Sequence, residues 1–433
     1  MSTRRLALHA LMDITERGAY ANLRLKEAQA GLNERDAKWL SALVYETLDH
    51  LYYIDYVIET YARGSLRPVV RAILRLGVCQ LLFLRTPAPA ACSESVKLTK
   101  EVGKAPLAGY VNGVLREIAR NIDNPVKLPE TEKERLSVQY SWPLFLIEEW
   151  IARFGAADTE RLIAYRQKGF ALRAQPPFTA EELEAALQQK GIPCARGKWE
   201  ENCVYAEAGF DIANDPLYQA GKMTAQSEAA MLACRAVGIQ PNMRVLDACA
   251  APGGKTAYLF ACANGEAELH AWELHPHRKE LLEKTLARLH VTAAVRLQDA
   301  ACYVEEFKNH FDAVLLDVPC SGLGVAGGKP DIRYRKTKAD VYALAVVQQQ
   351  ILETAAHYVR PGGVLVYTSC TISHTENEEQ IVAFLRDNEA FVMESLEGYL
   401  PEGLMEDTTG MLQLLPHVHQ TDGFFIARMR KSE

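Results

Sequence analysis

Two cysteines of this 433-residue chain stand where a sequence most readily places covalent chemistry. One lies in Asp317-Val318-Pro319-Cys320-Ser321-Gly322, the other in Tyr367-Thr368-Ser369-Cys370-Thr371. Each follows a short apolar run, Ala313 to Leu316 and Val364 to Tyr367, of the kind that forms buried parallel strands. Open α/β sheets bind ligands at the carboxyl ends of their strands. Two thiols at two strand ends of one sheet would therefore face one crevice, where a thiolate is a ready nucleophile. The competing reading is that a cysteine is a small core residue. It suits Cys79, Cys234 and Cys262, in apolar helical stretches, better than Cys320 and Cys370, which sit where loops begin. The ten cysteines include no C-x-x-C pair, so neither a zinc knuckle nor a thioredoxin-type couple is expected, and no metal is.

A further strand, Arg244 to Asp247, runs into Cys249-Ala250-Ala251-Pro252-Gly253-Gly254-Lys255-Thr256. The end of that segment looks like a phosphate-binding P-loop, but the motif requires glycine where Cys249 stands. What remains is a glycine turn before a helix amino terminus, where a ligand can approach the backbone closely. Glu273 closes the next strand roughly 20 residues on, the spacing at which an acid takes up ribose hydroxyls. Asp299 closes the strand after that and can meet an adenine amine. The alternative is that these acids merely cap the following helices. Three acids after successive strands, Asp247, Glu273 and Asp299, fit an adenosine cofactor without pyrophosphate, and S-adenosylmethionine fits best.

Suppose the substrate beside such a methyl donor and two thiols is cytosine. Its C5 is a poor nucleophile until a thiolate adds at C6 and makes C5 enamine-like; eliminating the thiolate afterwards restores aromaticity. Asp317 is placed to hold N3 and the exocyclic amine, and the second thiol suits proton transfer at release. The base must first leave any stack.

Several elements must position these groups. From Met223 onward strand and helix alternate, with strands expected at 243–248, 268–273, 294–298, 312–317 and 363–369 and helices at 255–263, 276–289, 337–358 and 376–388. This alternation marks a doubly wound, Rossmann-type α/β sheet over 221–433, with a late antiparallel strand near Gly423 to Arg428. Residues 140–220 read as a small α+β subdomain, with a helix over Pro143 to Phe154, a strand at Phe170 to Ala174 and a helix opened by a Thr179–Glu182 capping box. Residues 126–139 read as a polar, proline-marked linker. Residues 1–125 read as all-helical, over Arg4 to Glu16, Ala37 to Arg63, Pro68 to Leu84 and Ser93 to Val102. No apolar run is long enough to span a membrane and the start lacks a signal peptide's apolar region, so a cytoplasmic chain with reduced thiols and no membrane partner is expected.

Residues from Tyr140 on resemble the RNA cytosine-5 methyltransferases of the Nol/Nop/Sun group. The likeness rests on Asp247 to Thr256, on Asp317 to Gly322, on Lys329-Pro330-Asp331-Ile332-Arg333, and on Tyr367 to Thr371 with Glu376-Asn377. It implies that Cys370 is the nucleophile and Cys320 assists product release. It also implies that Cys249, Ala250, Ala251, Pro252, Gly253, Gly254, Lys255, Glu273, Asp299 and Asp317 hold S-adenosylmethionine. Three positions depart from the usual pattern: Ser369 for threonine, Ser227 for aspartate and Glu273 for aspartate. The amino-terminal region separately resembles the helical, RNA-binding NusB family, over Arg71 to Gly77, Gln80 to Phe83, Glu94 to Lys97 and Val111 to Arg116. The fusion implies small-subunit (16S) ribosomal RNA as substrate and partner, free or within an assembly intermediate, for a monomeric enzyme. A transfer RNA target and a non-catalytic RNA-binding or assembly role are the alternatives.

Charge adds a weaker signal. The first 125 residues carry 17 Lys and Arg against 13 Asp and Glu, a basic part on a chain of net charge −7. Arg67, Arg71 and Arg75 share a helix face and can follow a phosphate backbone; ion pairing with neighbouring acids is the alternative. Lys329, Arg333, Arg335, Lys336 and Lys338 crowd the segment after Cys320, where they are expected to hold the substrate strand. His275, His277, His417 and His419 lack a metal-like partner set and read as surface residues.

Overall fold

The computed structural model describes residues 2–167, 169–207, 210–404 and 410–433. The chain forms two compact units, one of Met1–Ala164 with Ala326–Lys336, the other of Tyr165–Val325 with Thr337–Glu433. Among the described residues no helix is long and apolar enough to cross a membrane.

The first unit is helical. It begins with α1 (Thr3–Arg17), α2 (Ala21–Gln29), α3 (Glu34–Asp49), α4 (Leu51–Tyr61), α5 (Pro68–Leu82), α6 (Ala88–Glu101) and α7 (Ala108–Arg120). Helix α1 starts at Ser2, whose hydroxyl accepts the Arg5 amide, and stops at Gly18 in the left-handed region, φ 71°. Every residue of α5 from Ala72 to Leu81 is buried, so this helix is the unit's axis. Gly77 lets its neighbours close in, because a Cβ there would lie 2.8 Å from Leu115 on α7 and 3.0 Å from Ser95 Oγ on α6.

Three expectations need correction here. The single helix read over Ala37 to Arg63 breaks at His50, whose ring stacks on Phe83 at 3.8 Å. Apolar spacing runs unbroken through the break, from Leu40 to Ile58, so periodicity hides it. The expected linker, 126–139, contains α8 (Glu132–Tyr140); its charged residues form an exposed face while Leu136 and Ser137 are buried. Helices α9 (Leu144–Phe154) and α10 (Ala156–Ala164) belong to the helical unit rather than to the subdomain expected from residue 140. Trp142 and Trp150, edge to face at 5.1 Å, help fix that packing.

The second unit opens with a four-stranded antiparallel sheet: β1 (Phe170–Ala174), β2 (Cys194–Arg196), β3 (Cys203–Ala206) and β4 (Met223–Ala225), in the order β2-β3-β1-β4. Helix α11 (Ala180–Gln189) packs on it behind the predicted Thr179–Glu182 capping box, and α12 (Pro216–Gln219) precedes β4. After α13 (Glu228–Arg235) strands and helices alternate as predicted: β5 (Arg244–Asp247), α14 (Gly254–Cys262), β6 (Glu268–Glu273), α15 (Pro276–Arg288), β7 (Ala294–Leu297) and β8 (Phe311–Asp317). The short α16 (Ile332–Arg335) lies in the segment belonging to the helical unit. Then come α17 (Lys338–Ala356), β9 (Val359–Ser369), α18 (Glu378–Asp387), β10 (Phe391–Met393), β11 (Met411–Leu414), α19 (Pro416–His419) and β12 (Phe424–Lys431).

These strands form one sheet in the order β10-β12-β9-β8-β5-β6-β7, with β11 paired to β12. Strands β5 to β9 run parallel, and β12 joins β9 antiparallel, as expected of the late strand. Successive strand residues point into two cores, Ala313, Leu315 and Val366 into one, Val314, Leu316 and Tyr367 into the other. Burial on both faces accounts for the near-continuous apolar runs. The chain moves out from β5 to β6 and β7, then returns to β8 on the other side of β5. The switch in direction opens a crevice beyond the carboxyl ends of β5 and β8.

Candidate active site

Strands β8 and β9 pair with Asp317 opposite Thr368, so the loops after both strands leave the same edge side by side. Cys320 and Cys370, both half-buried, meet there with Sγ atoms 3.2 Å apart. The convergence expected of the two thiols is therefore present. The Cys320 thiol is held well above its ordinary range, first by its hydrogen bond with Cys370, then by burial and by the charges of Cys370, Glu376 and Asp317. Cys320 accordingly keeps its proton in this arrangement. The Cys370 carbonyl accepts the Gly324 amide at 3.0 Å, and Gly324 in turn accepts from the Gly423 amide at 2.9 Å.

A buried polar cluster lies behind the thiols. One Glu376 carboxylate oxygen accepts the Ser321 amide at 2.8 Å and the Gln348 side-chain amide at 3.0 Å; the other accepts the Ser321 hydroxyl. Gln348 also donates to the Pro319 carbonyl at 2.9 Å, and Tyr367 donates to the Glu376 carbonyl at 2.6 Å. Next to it Asn377 accepts the Ser369 hydroxyl at 2.6 Å and donates to the Thr371 carbonyl at 3.0 Å. Glu376, Asn377, Gln348 and Ser369 are all fully buried. Sequence reasoning noted Glu376 and Asn377 only as parts of a motif and gave Gln348 and Tyr367 no role. A lone buried carboxylate on a polar loop leaves no periodic signal; the one available pointer was its nearness to Cys370.

The cofactor loop lies on the same edge of the sheet. Gly253, at φ 105°, makes the turn into α14 in a conformation that side chains rarely adopt. The turn is tied to its neighbours by Ala250 N–H to the Trp272 carbonyl at 2.9 Å and by Arg278 to the Ala251 carbonyl at 2.8 Å; Cys249 and Pro252 lie on this loop too. Asp247, at the end of β5, accepts the Thr256 hydroxyl on Oδ2 at 2.7 Å, while its buried Oδ1 has no partner among the described residues. Burial pushes the Asp247 carboxyl up to about 6, with Thr256 opposing the shift. Glu273 ends β6 and Asp299 lies two residues past β7, and each accepts a backbone amide two residues on, from His275 and Ala301, both at 2.9 Å. Neither acid caps a helix: His275 is the N-cap residue of α15, with no side-chain cap bond, and Ala301 lies in a turn. A row of strand-end acids, one with an unmatched buried oxygen, beside a glycine turn, fits the hydroxyls and amines of an adenosyl amino-acid cofactor.

Lys255 turns away from a phosphate-binding role. Its ammonium donates to Asp317 Oδ2 at 2.7 Å, and Asp317 Oδ1 accepts the Thr368 hydroxyl at 3.3 Å. Burial works against the ammonium, but Asp317 outweighs it and holds Lys255 charged, with the nearby Cys370 adding to the effect. Asp317 thus sits in the crevice as expected, already ion-paired.

The basic groups fare differently. Arg75 is buried and makes a bidentate pair with Asp55 at 2.8 and 2.7 Å, and Arg71 pairs with Glu59 at 3.1 Å. The stripe expected with Arg67 to follow a phosphate backbone is thus largely neutralised by acids of the neighbouring helix. Arg333, expected to grip substrate, is fully buried, lies over Trp142 at 4.5 Å and pairs with Asp49 at 2.8 Å. Arg335 lies over Tyr20 at 3.6 Å and pairs with Asp331. These two arginines hold Ala326–Lys336 within the helical unit; Lys329 and Lys338 are exposed.

An adenosyl-cofactor loop, strand-end acids and a doubly wound sheet define an S-adenosylmethionine-dependent methyltransferase. Residues 235–430 match the family model described as 16S rRNA methyltransferase RsmB/F, and residues 1–120 match the NusB family. The chain is 36% identical to a probable ribosomal RNA small subunit methyltransferase B of Bacillus subtilis, over 99% of both chains. It is 31% identical to the ribosomal RNA small subunit methyltransferase B of Shewanella oneidensis, over 100% of both. A solved methyltransferase homologue from Pyrococcus horikoshii superposes with a TM-score of 0.60 at 25% identity, covering 70% of this chain and 100% of that one. The chain belongs to the RsmB/F family of rRNA methyltransferases, with a NusB domain at its amino terminus.

Proposed function

We propose that this enzyme methylates C5 of a cytosine in small-subunit (16S) rRNA through a covalent adduct between Cys370 and C6, with Cys320 serving release. The carrying observation is the 3.2 Å contact between two thiols at adjacent strand ends. A single nucleophile gives no reason for a second thiol in contact with it; an addition–elimination sequence that must also remove a proton gives that second thiol a role.

The loop from Cys249 to Lys255, with Glu273 and Asp299, would hold the cofactor, whose sulfonium would supply an electrophilic methyl group and leave as a neutral thioether. Cys370, as thiolate, adds to C6, and the C5–C6 double-bond electrons move to C5, which takes up the methyl group as the bond from that methyl to sulfur breaks. The Lys255–Asp317 pair lies beside this step: Lys255 favours the anionic form of Cys370, and Asp317 faces the polar edge of the base. Once bonded to carbon, Cys370 is neutral, and the strongest influence holding the Cys320 proton is gone. Cys320 then releases that proton to solvent and takes the C5 proton. The C5–C6 double bond re-forms as the Cys370 thiolate leaves, so the reaction sheds one proton overall.

The test incubates wild type, Cys370→Ala and Cys320→Ala with radiolabelled S-adenosylmethionine and small-subunit rRNA, followed by denaturing gels. Wild type is expected to yield free methylated RNA, Cys370→Ala none, and Cys320→Ala a labelled species that stays on the protein. Normal methylation by both variants would make the thiols structural and sink the covalent reading. Parallel reactions with transfer RNA decide the substrate class, and no transfer to any RNA would favour a binding role.

A further inference from the structure

We infer that Glu376 is a positioning residue that seats Cys320, and thereby controls product release more than attack. This rests on the covalent reading above and assigns a part to a residue that the chemistry itself does not touch.

The argument starts from what holds each thiol. Cys370 directly follows the end of β9, where Thr368 is paired on both sides, opposite Asp317 of β8 and Ile426 of β12, and Ser369 lies opposite Phe425 of β12. Asn377 fixes the residues before and after it through Ser369 and Thr371. Cys320 has no such strand; it lies three residues beyond the end of β8, in a loop. A loop holds a catalytic atom to the sub-ångström tolerance of chemistry only if side chains pin it. Both peptide neighbours of Cys320 are pinned, and both to Glu376. The Ser321 amide donates directly to Glu376, and the Pro319 carbonyl is held by Gln348, whose same amide group donates to Glu376. The Ser321 hydroxyl adds a third contact, to the second carboxylate oxygen, and lies 2.8 Å from the Thr371 hydroxyl.

The Ser321 amide and hydroxyl, the Gln348 amide and, at 3.5 Å, the Thr371 hydroxyl all donate to the Glu376 carboxylate. Glutamine in its place offers one accepting oxygen and turns an NH2 toward donors, so at least one arm of the seat must open. Glu376 is also among the charges that hold the Cys320 proton, so its removal makes that proton easier to lose.

The experiment uses the full chain, small-subunit rRNA and radiolabelled S-adenosylmethionine in single turnover, for wild type, Glu376→Gln and Gln348→Leu. Glu376→Gln is expected to form the Cys370 adduct within about threefold of the wild-type rate but to release methylated RNA at least tenfold more slowly, with the pH dependence of release moved to lower pH. Gln348→Leu, which opens the Pro319 arm and removes one donor to Glu376 but leaves both Ser321 contacts, is expected to show the same imbalance to a smaller degree. If adduct formation and release fall in equal proportion, or release is unchanged, the seat is wrong. A second readout needs no RNA: alkylation by iodoacetamide, followed by peptide mass spectrometry, should change at Cys320 but not at Cys370 in Glu376→Gln. An altered Cys320 rate with no wild-type adduct would overturn the covalent reading while keeping the seat. An unaltered Cys320 rate would overturn the seat alone.

Discussion

Gly324 is the place where one added methyl group should cost both stability and catalysis. A Cβ built on Gly324 falls 1.9 Å from the Gly423 carbonyl oxygen, 2.5 Å from its carbon and 2.9 Å from the Cys370 carbonyl oxygen. These are backbone atoms, so no side chain can swing aside. Reaching an ordinary contact of roughly 3.5 Å demands a displacement of about 1.5 Å. That movement breaks Gly324 N–H to Cys370 and Gly423 N–H to Gly324. Overpacking costs about 1–3 kcal/mol, and two backbone hydrogen bonds cost about 1 kcal/mol each. The expected loss for Gly324→Ala is therefore roughly 3–5 kcal/mol, which lowers the melting temperature of a unit this size by roughly 10 °C. Because the strain falls on the Cys370 carbonyl, methyl transfer per folded molecule should drop by about 100-fold, the usual effect of an ångström-scale misplacement. The assay pairs calorimetry with initial methylation rates below the melting transition. Gly109→Ala is the control: it lies in α7 with open space around its Cβ and should leave both readouts unchanged or slightly raise stability. A Gly324→Ala enzyme that melts within 2 °C of wild type would refute the packing argument. One that melts early but turns over normally per folded molecule would refute its link to Cys370.

Two further outcomes follow from charges in the structure. Asp247 has its carboxyl raised from 3.8 to about 6 by burial, so the folded protein binds this proton more tightly than the unfolded chain does. Its contribution is fully present below the unfolded value and is lost as pH rises from about 4 to about 6; Asp247→Asn should flatten that segment of a stability–pH curve measured by denaturant titration, and an unchanged curve would refute the assignment. Arg75→Ala should lower stability of the helical unit by about 1–3 kcal/mol, because it strands Asp55, yet leave the salt dependence of RNA binding unchanged; a slope reduced by about one would restore Arg75 as a phosphate contact.

The thiol convergence was legible because the sheet's own rules carry it. Apolar runs of strand length locate β8 and β9, parallel pairing puts their ends on one edge, and a cysteine just past each end has little freedom to be elsewhere. The strand-end acids were legible for the same reason. What periodicity does not encode was missed or misread. The break at His50 leaves apolar spacing intact, so two helices read as one. Helix α8 reads as a linker because charged residues dominate its exposed face. Arg333 and Arg335 read as substrate contacts because a sequence shows their charge but not Asp49 and Asp331, the acids that consume it. Glu376 is the strongest case: its short hydrogen bonds come from Ser321 and from Gln348 of α17, far away in sequence.

The two thiols are chemically identical, so the different roles proposed for them must come from what surrounds them. The Lys255–Asp317 pair supplies part of the asymmetry. Asp317 is among the charges that hold the Cys320 proton, and Lys255 is coupled to Cys370 with the opposite sign. Coulombic coupling is mutual, so the cation that Cys370 stabilises favours, in turn, the anion at Cys370. One half-buried ion pair, oriented by Thr368 at one end and by α14 at the other, thus favours, in the proposed reaction, the proton on Cys320 and negative charge on Cys370. Reversing the pair, as Lys255→Asp with Asp317→Lys, should not restore activity even if the salt bridge re-forms, because the bias on the thiols is inverted. A double variant with wild-type adduct kinetics would show that the ion pair holds the crevice together without setting which sulfur attacks.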